Sequence, residues 1–377
     1  MQHAIPAVLM RGGTSKGLFL RSEDLPMDPR ERDGLLLRLM GSPDPYHRQM
    51  DGLGGAISSS SKVALISPSL RSDCDVCYRF GQVSVDTPLI DFSGNCGNLA
   101  AAVGHYAIEE GLVAAQDGVT TVRVWQENLQ ERILVHVPVQ GGNPLVCGDT
   151  EVPGLPWKGA AVHVDFLGRA QPAPCLASEW SAEMLQLPDG TKVRVTLVTA
   201  GNATVFVRAA DLGLTATERP EDFTVATLEF LEQIRCAGSV RMGLASSAGV
   251  AHRERPATPK VAIVGPPCAM EDTAGRSHDS DAMDICARII SMGRAHHAFT
   301  TTASVALAVA ARIPGTIVHE LARPDANPLH LGHAAGIMPL EAQVTREDGV
   351  WIARRVRITR TARRLMAGTV YAPVRHR

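Results

Sequence analysis

Aromatic residues make up only 4% of the 377 positions. So thin a supply excludes stacking platforms for bases and aromatic shelves for sugars. The chain also lacks an excess of charge: its formal net charge is −2, so no nucleic-acid partner is expected. No apolar run approaches the length of a bilayer span, so no membrane partner is expected either. The first residues lack a basic stretch followed by a long apolar one. No secretory signal is read there, and the expected location is cytoplasmic. The eight cysteines are then expected as reduced thiols. Cys74 and Cys77 form a lone Cys-x-x-Cys without a second pair at zinc spacing, so no metal site is expected.

Against these absences stands an ordinary globular composition, 45% hydrophobic and 20% charged. The length favours two domains. The most informative stretch runs from Ile90 to His105. A strand end is broken by Ser93-Gly94-Asn95, and a small-residue helix begins after Gly97. Cys96 thus sits at a helix N-terminus, whose unpaired N–H groups suit an anion and favour a thiolate. The plainer alternative is a core cysteine.

Upstream, residues 4–10 read as a strand, followed by the loop Arg11 to Gly17 and a second strand, Leu18 to Leu20. The loop is either an anion cradle with two cations, Arg11 and Lys16, or a plain hairpin turn. A helix is expected over 28–40, with Asp28 as cap and Pro29 in the first turn. Lys62 stands where a Gly/Ser loop enters the apolar strand Val63 to Ile66. There it is either solvated on an edge or desolvated into a usable general base.

The second half repeats the first. Leu18 to Leu25 matches Val205 to Leu212, and Lys62 to Pro68 matches Lys260 to Pro266. Gly52-Leu53 matches Gly243-Leu244, and the Cys96 helix start matches Thr300 to Leu307. Four matches in one order argue for a duplicated α+β domain. The fold class expected is α+β, with two pseudo-symmetric domains over 1–187 and 188–377. Each is a curled, mostly antiparallel sheet around a central helix, and the last strand is a candidate to return to the first domain.

Long motifs then carry a family resemblance. Met10 to Pro26, Gly41 to Ser67, Asp91 to Ile108, Arg241 to Leu244, Thr258 to Pro267 and Ser291 to Val318 resemble the PrpF family. The resemblance implies the diaminopimelate-epimerase-like fold, with the active site between two similar domains. It also implies cofactor-free isomerisation of unsaturated di- or tricarboxylates, of 2-methylaconitate or aconitate type. A 4-oxalomesaconate tautomerase or allylic isomerase is the alternative. Epimerase relatives of that fold set two cysteines face to face, whereas here the second half offers only Thr300 to Thr302. The resemblance instead implies Lys62, the lysine ending the Ser-rich loop, as the principal acid/base for a 1,3-allylic proton shift, with Cys96 either a second acid/base or part of the anion pocket. Arg11, Thr14, Ser15, Ser60, Ser61, Gly97, Asn98, Arg294, Thr301, Thr302 and Ala303 are the expected substrate contacts.

The remaining polar features read as structural. His296 and His297 are expected to point apart, so they do not make a metal site together. His105 reads as a core histidine and Lys260 as a structural lysine. Arg354 to Arg364 reads as a strand followed by a solvated basic face. An amino-acid racemase would need thiols in both halves. A non-catalytic polycarboxylate-binding protein would bind without turnover. The expected partner is a small polycarboxylate, with a homodimer expected on base rates.

Overall fold

The first hairpin sets the plan. In the computed structural model, which describes residues 2–169 and 173–373, strand β1 (Gln2–Gly12) turns through Gly13-Thr14 into β2 (Ser15–Arg21). The turn is shorter than the expected loop, and Arg11 and Lys16 face each other across the ladder. Helix α1 (Pro29–Met40) follows, capped by the Asp28 side chain on Arg30 N and Glu31 N and ended by left-handed Gly41. Then come β3 (Lys62–Pro68), β4 (Val76–Val83), β5 (Ile90–Asp91) and α2 (Gly97–Glu109). Strands β6 (Gly118–Gln126), β7 (Glu131–Gln140), β8 (Asn143–Pro144) and β9 (Val162–Arg169) complete this half.

The second half runs β10 (Glu183–Gln186), β11 (Lys192–Val198), β12 (Thr204–Arg208), α3 (Val225–Arg241), α4 (Ala248–Glu254) and β13 (Lys260–Gly265). A small ribbon, β14 (Met270–Glu271) and β15 (Ser277–His278), precedes β16 (Ile285–Ser291) and β17 (Arg294–Ala295). Next are α5 (Thr301–Ala310), α6 (Ile317–Leu321), β18 (Leu329–His333), β19 (Gly336–Glu347) and β20 (Val350–Arg360). The last strand, β21 (Ala362–Pro373), pairs antiparallel with β1.

Two compact units result. One is Met1–Glu151, Trp157–Val164 and Thr359–Arg377; the other is Val152–Pro156 and Asp165–Ile358. The sequence places the boundary between 187 and 188, but residues 165–187 pack with the second unit. Two contacts account for this: β10 pairs with β11, and Leu176 bridges to Val198.

In the first unit, β2 lies parallel to β3 with Leu18 opposite Val63, and β3 lies antiparallel to β4. In the second, β12 lies parallel to β13 with Val205 opposite Val261, and β13 lies antiparallel to β16. The repeat is therefore kept pair by pair. One match needs correcting. Gly243 (φ +68) follows α3 as Gly41 (φ +70) follows α1, so Gly41 rather than Gly52 is its counterpart.

Each unit buries one thin helix. Gly97 to Ile108 of α2 are all buried, and so is every residue of α5. A helix apolar all round has no solvent face to offer, so the sheet must wrap it. Helix α2 accordingly touches β1, β2 and β21 as well as β6, β7 and β8. Leu18 and Leu20 point the other way, into a core with Leu35, Leu36 and Leu39 of α1. Among the described residues, no helix is long and apolar enough to cross a membrane.

Candidate active site

Lys62 opens β3 directly opposite Gln82 of β4. Only 7% of it is exposed. Its Nζ donates to Gln82 Oε1 at 2.6 Å and lies 4.9 Å from the centre of the Phe80 ring. Gln82 Nε2 in turn donates to the carbonyls of Ser58 (3.1 Å) and Ser61 (3.0 Å). Burial lowers the lysine's pKa, and the charge of a Cys96 thiolate opposes that shift. The desolvated alternative is thus the one this geometry matches.

Cys96 is the N-cap residue of α2, and its side chain makes no cap hydrogen bond. The first turn's N–H groups have no acceptor within the helix, so its positive end stands beside the thiol. Around it a polar cluster gathers inside an apolar unit. Cys96 Sγ lies 3.9 Å from Ser15 Oγ, and the Tyr78 hydroxyl donates to Cys96 O at 3.3 Å. Asn98 Nδ2 donates to Thr14 Oγ1 (3.1 Å) and Ser15 Oγ (3.3 Å). Arg360 Nε donates to Asn98 Oδ1 at 3.0 Å. Arg360 is buried, and burial pulls its guanidinium down to about 10, with Cys96 opposing. It therefore stays cationic at neutral pH.

The hairpin reaches this cluster because it can approach the helix closely. A Cβ on Gly12 would stand 2.2 Å from Asn98 O. The same contact recurs in the second unit, where a Cβ on Gly201 would stand 2.6 Å from Thr302 O. By that equivalence Asn98 corresponds to Thr302, Gly97 to Thr301 and Cys96 to Thr300, the N-cap residue of α5.

Other expected contacts are held differently. Arg11 Nη1 donates to the carbonyl of Thr361 and to its hydroxyl (2.8 Å), which ties it to the β20–β21 junction. Burial and then neighbouring Arg363 lower it to about 10. Ser60 Oγ bonds Ile57 O, and Ser61 Oγ bonds Gln49 Oε1, so both hydroxyls hold their own loop. In the second unit Thr301, Thr302 and Ala303 are buried in the first turn of α5. Arg294 is exposed beyond the turn at Met292 (φ 54) and Gly293 (φ 71). Lys260 Nζ donates to Ser291 Oγ at 2.8 Å. His296 and His297 do not point apart. Their rings stack with centroids 4.5 Å apart, since the chain bends here instead of continuing as strand or helix.

The basic run at 354–364 is not a solvated face. Arg357 forks onto Asp165 (2.6 and 2.7 Å), and Arg364 pairs with Glu109 and Glu110. Arg360 was missed for the same reason. The signal for it is the two-residue alternation of β20, which puts Val356, Ile358 and Arg360 on one buried face. Gln82 and Tyr78 alternate along β4 in the same way, but only the pairing register brings Gln82 to Lys62.

Among the described residues, one group has metal-ligand spacing: Glu232, Cys236 and His252. Arg235 already donates to both Glu232 carboxylate oxygens, at 2.7 Å each, so that charge is matched without an ion.

Comparison with known proteins finds relatives along nearly the whole chain. The model of the PrpF protein family matches residues 2–373. A 2-methyl-aconitate isomerase of Shewanella oneidensis is 41% identical, with 99% of this chain and 98% of that one covered. A (4E)-oxalomesaconate Delta-isomerase of Novosphingobium is 35% identical, with 97% of each covered. The crystal structure of a methylitaconate-delta-isomerase superposes with a TM-score of 0.76 at 37% identity, covering 98% of this chain and 96% of that one. A hydroxyproline epimerase from Agrobacterium vitis shares the fold alone, with a TM-score of 0.60 at 13% identity over 98% and 92% of the two chains. The chain therefore belongs to the PrpF family, and it is an isomerase on a diaminopimelate-epimerase-like fold.

Proposed function

We propose that this isomerase moves a carbon–carbon double bond by one position in an unsaturated di- or tricarboxylate of the 2-methylaconitate or aconitate type. The observation that carries this reading is the buried Lys62 amine in the same unit as the N-terminal end of α2 and the Cys96–Asn98–Arg360 cluster. A proton on carbon next to a conjugated carboxylate needs a base whose charged form is disfavoured and a fixed positive field for the dienolate. Lys62 takes the allylic proton, and the electron pair of that C–H bond becomes the new double bond. The old π pair moves towards the carboxylate. The lysine ammonium returns a proton at the far end of the three-carbon unit, and the step uses no cofactor. The N–H groups of Gly97 and Asn98 offer the carboxylate and its developing charge a binding site. Thr14 and Ser15 add hydroxyl contacts, and Thr301, Thr302 and Ala303 are proposed as the corresponding contacts of the second unit.

The 2-methylaconitate type is preferred because the relative of that name stands at 41% identity against 35% for the oxalomesaconate isomerase. Proton NMR in D₂O tests the reading with 2-methylaconitate and 4-oxalomesaconate as substrates. Deuterium should enter the allylic positions of the tricarboxylate as the isomer forms. Lys62→Met should lower that rate by about 1,000-fold or more. Cys96→Ala separates the two roles of the thiol: near-complete loss marks an acid/base, a raised KM marks the anion pocket. Undiminished exchange in Lys62→Met would sink the assignment. Tight binding without turnover would instead mark a binding protein.

A further inference from the structure

We propose that Gln82 is a positioning residue for Lys62: its side-chain amide fixes the direction of the amine's lone pair without locking the amine in its protonated form. The inference rests on the reading of Lys62 as the base. The amide's own orientation is dictated by its neighbours. Two backbone carbonyls, of Ser58 and Ser61, accept from Nε2, so Oε1 is left to face the lysine. Only 3% of Gln82 is exposed, so water does not compete for that contact.

A neutral amine has two N–H bonds and one lone pair. One N–H points at Oε1, and the Phe80 ring covers a flank. The lone pair is thereby turned away from both. An amide oxygen has no proton to give, so it cannot cap that lone pair. A carboxylate in its place would hold the proton on the amine.

The second unit supplies an internal comparison. Lys260 occupies the position of Lys62 in the repeated strand, and its amine donates to the Ser291 hydroxyl at 2.8 Å. A hydroxyl both accepts and donates, so it can close off the amine's lone pair. The same lysine position thus has a partner that leaves the base open in one half and one that can occupy it in the other.

The test is a pH titration of the lysine Nζ by NMR after lysine-selective ¹⁵N labelling. The chain has five lysines, so Lys62→Met assigns the signal. Gln82→Glu should raise the Lys62 midpoint by about 1–3 units and move the acid limb of the exchange rate by the same amount. Gln82→Met should leave that midpoint at or below the wild-type value. Its kcat should fall by about 100-fold with little change in KM. Circular dichroism checks that each variant is folded. A wild-type midpoint in Gln82→Glu, or full kcat in folded Gln82→Met, would overturn the proposal. The titration needs no substrate, so it stands apart from any failure of the isomerase reading.

Discussion

Arg360 shows what a single side chain can contribute when the strand carries it inward. Its guanidinium holds Asn98 Oδ1, which orients the amide whose NH₂ group reaches Thr14 and Ser15. Arg360→Met should therefore cost about 1–3 kcal/mol in urea unfolding, since a buried charge-assisted bond is lost. Its KM for the tricarboxylate should rise about tenfold or more, because a cation beside the helix end is removed. Arg360→Lys should recover little, for an ammonium does not reproduce the fork of the guanidinium. Wild-type stability and KM in Arg360→Met would show that the group is idle. At this scale the sequence was only partly legible. Lys62 and Cys96 announce themselves through their loops, whereas Arg360 hides among arginines that mostly serve ion pairs. Gln82 is invisible until the β3–β4 register is known, because the chemistry of a pair separated by twenty positions depends on which strand lies beside which.

At the scale of the element, α2 is legible as a helix because of its small residues, and its burial follows from the same composition. Glycine in mid-helix ordinarily costs stability, so Gly104 must serve the packing. A Cβ there would stand 2.6 Å from both Val135 Cγ1 and Val137 Cγ2 of β7. Gly104→Ala should therefore destabilise the protein by about 1–3 kcal/mol, even though alanine is the better helix former by about 1 kcal/mol. Chemical denaturation followed by circular dichroism checks the sign. A stabilised variant would mean that the sheet yields around the helix. The turn at Gly13-Thr14 was harder to read. Its glycines and hydroxyls fit an open cradle as well as a tight hairpin, and only the ladder from Arg11 to Lys16 decides for the hairpin.

At the scale of the molecule, the duplicated plan was legible because paired strands of equal composition recur in the same order. The unit boundary was not. The stretch of 139–190 is rich in proline and glycine with short strands, and the one read over Ala160 to Phe166 is β9, which begins in one unit and ends in the other. The closing strand was legible only as a candidate, and its pairing with β1 from Gln2↔Pro373 to Gly12↔Ala362 is a long-range event. Val370 and Ala372 join the core that α1 covers. Deleting 362–377 should therefore abolish cooperative unfolding of the first unit. A limited-proteolysis time course should show early cuts in β1 and β2, while the second unit persists. Equal protection of both units in the truncated protein would refute this.

That strand also sets a timetable for biosynthesis. Strand β1 finds its partner on that edge only when β21 has been made. All of the second unit emerges in between and is free to fold while β1 waits. Until then the nascent chain carries an open β edge along β1, available to any other nascent chain nearby.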